Sequence, residues 1–164
     1  MRPGPVLAAA LAALSSAPAA AQDGPLATYW ENAGSLPPAH AVEFTATIAA
    51  DGALALRVCR GYRTEGPSCA DAAGTVSPAA LAAILSAAEA SGLARDPAEV
   101  LGDTEIPVGG ATRGGAVVTG GKTVTLPAFP READAPRVGA VLDAIAAAIP
   151  AALRAAAEAR AVAP

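Results

Sequence analysis

The sequence predicts a small α+β domain of element order β-β-α-β-β-α, an antiparallel sheet with two helices packed on one face. Three observations predict it. Two stretches alternate apolar and polar residues on either side of Gly-containing turns, the pattern of half-buried hairpins. Two others repeat apolar residues at helical spacing. Strand pairs interleaved with single helices then call for a layered fold rather than a parallel wound one.

The chain has 164 residues. Its first 21 read as a secretory signal: Met1-Arg2 at the start, the apolar run VLAAALAAL over 6–14, and Ala19-x-Ala21 as a cleavage site before Gln22. The run is too short to anchor in a bilayer, and Pro3, Pro5 and Pro18 argue against one long helix. The expected location is therefore periplasmic or secreted, with no membrane insertion after cleavage. Removing Arg2 leaves 10 basic against 15 acidic residues, a net charge of −5. An acidic domain without a Lys/Arg cluster is a poor partner for nucleic acid, whose binding rests on phosphate neutralisation. Aromatic residues make up only 3% of the chain, so the core must be assembled from small side chains that each contribute little burial.

Residues 22–41 carry Gly24, Pro25, Gly34 and Pro37-Pro38 and read as an irregular entry segment. The domain proper is expected over 42–150. In VEFTATIAADGALALRV, Phe44, Ala46 and Ile48 alternate with Thr45 and Thr47, and Leu54, Leu56 and Val58 alternate with Ala55 and Arg57. A two-residue turn would send the two apolar sets to opposite faces. A three-residue turn over 50–52, with Gly52 left-handed, pairs Ile48 with Leu54, Ala46 with Leu56 and Phe44 with Val58. That register points Arg57 and Cys59 away from the core and sets Glu43 opposite Cys59.

The first helix has Ser77 as N-cap, Pro78 at its first position and Gly92 at its end, with Leu81, Ile84, Leu85 and Ala88 as its apolar stripe. A long connection over 94–115 holds a short strand at Ile106 and Val108. AVVTGGKTVTLP is a second hairpin across Gly120-Gly121, pairing Val117 with Val124 and Val118 with Thr123. Val138, Val141, Leu142, Ile145 and Ile149 trace the second helix, which Pro150 stops. The tail over 151–164 is helical or frayed, since it has almost no apolar face.

Two cysteines in an exported chain predict one disulfide, Cys59–Cys69, ten positions apart. His40 is the only histidine, so zinc ligation is short of ligands, and the spacing is not that of a CxxC redox centre. No metal and no cofactor are expected. GGKTV contains Gly-Lys-Thr, but Gly115 precedes Gly121 by six positions rather than five and strand sequence follows, which excludes a P-loop.

The remaining candidates are surfaces. The ring closed by the disulfide contains Arg60, Tyr62 and Arg63, residue types enriched at binding hot spots, in a loop already paid down in entropy. Trp30, the only tryptophan, either stacks on a sugar or partner or plugs one end of the core. Asp103 and Glu105, with Arg113 downstream and His40 elsewhere, are the acid/base option. The expectation is a small non-enzymatic binding module, engaging an envelope protein or an anionic envelope component through the 59–69 loop. Two alternatives stand beside it: an inhibitor of an envelope enzyme, and an atypical hydrolase using the acidic loop 103–113.

Overall fold

In the computed structural model, residues 24–61, 68–106 and 109–161 are described. They form β1 (Ala27–Asn32), a 3₁₀ turn (Pro38–His40), β2 (Val42–Ile48), β3 (Ala53–Arg60), β4 (Ser68–Thr75), α1 (Pro78–Ser91), β5 (Thr112–Thr119), β6 (Lys122–Leu126), α2 (Ala135–Ala148) and α3 (Ala151–Arg160). The α+β class stands, but the order β-β-α-β-β-α does not. Four strands precede the first helix, and a third helix follows the second. All six strands join one antiparallel sheet in the order β4-β3-β2-β1-β5-β6. The signal sequence expected over 1–21 lies outside the described residues.

Both hairpins take the register their sequence dictates. Phe44 faces Val58, Ala46 faces Leu56 and Ile48 faces Leu54. The turn between them closes with Gly52 N–H on the Ala49 carbonyl at 3.0 Å and Gly52 at φ 88°, the left-handed position that only glycine occupies without strain. Across β5 and β6, Val117 faces Val124 and Val118 faces Thr123. Helix α1 starts on Ser77, whose Oγ accepts from Ala80 N–H at 3.2 Å, and ends on Gly92 at φ 70°.

Three elements depart from the sequence reading. The supposedly irregular 22–41 stretch contains β1, which sits between β2 and β5 and joins the two hairpins into one sheet. Its alternation is disguised because Tyr29 and Glu31 share the inward side, opposite Ala46 and Phe44. Strand β4 (SCADAAGT) is rich in residues of low strand propensity, and its place is fixed by pairing along all of β3. Helix α3 packs across β3 and β4 instead of fraying. Ala157 on its inner side is fully buried, and a Cβ on Gly74 would lie 2.7 Å from Leu153 Cδ2. A strand of alanine and glycine leaves room for Leu153 to seat on Gly74, a contact that no long apolar stripe announces.

Helix α2 crosses β1, β5 and β6, α1 packs on α2, and all three helices lie on the inward face. Tyr29, Phe44, Ile48, Val58, Ile84 and Ile145 are among the largest fully buried side chains of the core. Ile106 lies in a bend rather than a strand, and Val108 lies outside the described residues. That connection is anchored instead by a bridge between Val100 and Pro130.

Candidate binding face

The inward face is covered by helices; the outward face is not. Alternation sends Thr28, Trp30, Thr45, Thr47, Ala55 and Arg57 outward from the three central strands. On an exposed antiparallel face charged side chains are common. Here the strands present mainly threonine and alanine, with Glu43 and the exposed ion pair of Arg57 Nη1 and Asp71 Oδ1 at 3.4 Å.

Trp30 is the large feature of this face. It is not a plug in the core. Its indole covers Gly114 on the neighbouring strand, where a Cβ would lie 2.7 Å from Cζ2 and 2.9 Å from Cε2. Gly114 is thereby buried, while Trp30 remains 36% exposed. Glycine at this position is what lets the ring lie against the sheet. The same face holds two hollows, one of about 450 Å³ lined by Thr45, Ala55, Arg57 and Asp71, and one of about 380 Å³ lined by Thr28, Ala116, Val118 and Thr123.

Cys59 and Cys69 are directly opposite each other on β3 and β4 and form the disulfide, with Cα atoms 4.1 Å apart. They share the outward side with Arg57 and Asp71, so the bond sits at one corner of the open face. Of the loop residues singled out by sequence, Arg60 ends β3 on the same side of the strand as Val58, turned from the outward face. Tyr62 and Arg63 lie outside the described residues. The geometry therefore groups Trp30 with the disulfide and separates both from Arg60.

One cluster of perturbed ionisable groups lies at the helix–sheet seam. Arg154 on α3 donates to both Glu31 oxygens, at 3.2 and 2.6 Å, and to Glu158 at 2.8 Å, with its guanidinium 4.3 Å from the Phe44 ring centroid. The Tyr29 hydroxyl donates to Glu31 at 2.5 Å. Arg154 holds the Glu31 carboxyl below its ordinary range against the opposing effect of burial. Burial, then the Glu31 carboxylate, push the Tyr29 hydroxyl up to about 12. A second cluster pins the loop after α1: Asp134 accepts from Glu99 N–H at 2.7 Å and from Arg137 at 2.6 and 2.8 Å, and Arg137 donates to the Asp96 carbonyl at 2.8 Å. Arg137, and then the Glu99 N–H, hold the Asp134 carboxyl low. Sequence reasoning missed both clusters, because their partners come from elements far apart in the chain.

The acidic loop is not assembled around Arg113. That side chain pairs with Asp143 on α2 at 2.5 Å. Glu105 accepts from Gly102 N–H at 2.8 Å, Asp103 is exposed, and His40 ends the 3₁₀ turn. Among the described residues no group of three or more His, Cys, Asp or Glu is placed to hold a metal ion. No family model, curated protein or solved structure matches this chain.

Proposed function

We propose that this protein is an exported, non-enzymatic binding module that engages an envelope partner through the open face of its sheet. One observation carries the reading: the outward face is broad, presents mainly threonine and alanine, and bears a tryptophan held against Gly114. Tryptophan in a preorganised setting supplies a large contact area with little side-chain entropy to lose on binding. The disulfide at the corner of that face adds a covalent fixture to its border, while Arg60 points to the other side of β3. The periplasm or the medium is the compartment in which such a bond persists.

The test is a photoreactive phenylalanine placed at Ala55, on the open face, and separately at the exposed Ala147 on α2. With envelope extract from the source cells, ultraviolet light is expected to yield a discrete adduct from position 55 and none from 147. Adducts from 147 alone, or from neither position, overturn the proposal.

A further inference from the structure

Helix α3 belongs to the sheet and not to the helix layer. Among the described residues its neighbours are β3 and β4, and no helix packs on it. Leu153 meets Gly74, and Arg160 donates to the Asp71 carbonyl at 2.9 Å. Arg154 reaches Glu31 on β1 and the Phe44 ring on β2. Ala157 and Ala161 are buried. Together these contacts call for one kind of occupant. A forked cation must lie over Phe44 and bond Glu31, the residue before it must fill the space left by Gly74, and small residues must follow.

The covalent tie is the joint Ile149-Pro150, where α2 and α3 meet at 78°. Proline makes this joint. It disfavours the helical conformation in the residue before it, and Ile149 is accordingly extended at φ −79°, ψ 120°. Pro150 is extended too, at φ −61°, ψ 120°, and has no N–H to continue the α2 ladder. Both flanks, AIAAAI and AALRAAA, are rich in alanine, the strongest helix former. The bend therefore stands between two segments whose own preference is to run on as one helix. Straightening would lift α3 from its own sheet, uncover the Arg154 side of Phe44 and leave Glu31 without its arginine.

We propose that the floor beneath α3 is a docking site for α3 of a second copy of this chain, so that two molecules exchange their C-terminal helices about the Pro150 joint. Charge and shape select that occupant: the incoming helix brings its own Arg154 to Glu31 and its own Leu153 to Gly74. Each sheet then regains the contacts it gave up, two joints are straightened, and the opposing term is the freedom lost on association. The exchange takes place on the inward side, so the dimer carries two open faces and would bind a repeating partner with avidity.

The test begins with Pro150→Ala in the full chain. It frees Ile149 to turn helical and restores an N–H, and it should lower the dimer dissociation constant by about a hundredfold, read by light scattering across a concentration series. In a mixture of isotope-labelled and unlabelled P150A, filtered spectra should show Leu153 methyl protons of one copy against Gly74 of the other. Charge reversal then identifies the exchanged contact. Glu31→Arg and Arg154→Glu each set like charges together within one molecule, and each should dimerise more weakly than the wild type. Mixed, the two regain opposite pairs only across copies, so their heterodimer should be about tenfold tighter than either homodimer. P150A that stays monomeric at millimolar concentration, a dimer without Leu153–Gly74 contacts between copies, or reversed-charge partners that pair no better together than alone overturns the proposal. The filtered spectra decide the matter even where a charge variant fails to fold. Cross-linking at Ala55 reads the other side of the sheet, so failure here leaves the open face as it is.

Discussion

The inward and outward faces of the sheet are drawn from the same six strands and carry opposite chemistry. On β2 and β3 the inward residues Phe44, Ala46, Ile48, Leu54, Leu56 and Val58 are all buried. The outward positions one residue away are threonine, alanine, Arg57, Glu43 and Cys59. Large apolar residues on one side fix the register, because a slip of one position would exchange the faces. The outward Thr45, Thr47 and Ala55 are exposed and fill no packed site. That difference locates stability on one face and leaves the other to the proposed binding role.

The sharpest way to break the comparison is to truncate one aromatic on each face. Phe44→Ala should cost about 3–5 kcal/mol, since it empties a fully buried site and removes the surface under Arg154. Trp30→Ala removes a larger side chain yet should cost less than half as much. Urea unfolding midpoints compare them, and equal losses would mean that Trp30 is a core residue.

Next in size is the covalent link between the weakest strand and the rest. Replacing both cysteines by alanine should cost roughly 2–3 kcal/mol in the chain-entropy view of a ten-residue closure. Amide exchange should quicken most in β4, whose alanine- and glycine-rich sequence has little strand propensity of its own. Uniform loss across the sheet would show that β4 holds without the bond.

A smaller effect separates the polar seam from both faces. Glu31 is depressed in the folded state, so the stability it adds is complete above its ordinary value of 4.5 and is lost as pH falls through the lower folded value. Glu31→Gln should cost about 1 kcal/mol at neutral pH, given partial exposure, and should flatten the acid limb of stability against pH. Tyr29 acts at the other end. Its folded value of about 12 lies above the ordinary 10.0, so its contribution is present below 10 and is lost as pH rises toward 12. Thermal melts between pH 2 and 5, and between 9 and 12, test both limbs. The smallest change is Arg57→Ala: the pair with Asp71 is solvent-exposed on both sides, and unfolding should move by no more than about 0.5 kcal/mol.

The hairpins and α1 were legible because their large side chains sit at one period and their turns need particular residues, Gly52 and Gly120-Gly121 above all. Helix α2 was legible for the same reason, through Val138, Val141, Leu142 and Ile145. What escaped was built from small or mixed residues. β4 and α3 meet where Leu153 seats on Gly74, in a strand of small residues. β1 hides its period by turning Glu31 inward toward an arginine 123 positions away. One signal for β4 was present: if Cys59 stands in a strand, the simplest partner position for Cys69 is directly across on the next one. Of the candidate site, Trp30 was legible as a residue but not as a place, because Gly114 is 84 positions further along the chain.

The most direct measurement is acrylamide quenching of Trp30, the single tryptophan, in the purified protein alone and with the proposed partner recovered by cross-linking. An indole on an open sheet face predicts ready quenching and red-shifted emission in the free protein, with both suppressed on binding. Shielded, blue-shifted emission in the free protein, or quenching that the partner leaves unchanged, would contradict the account.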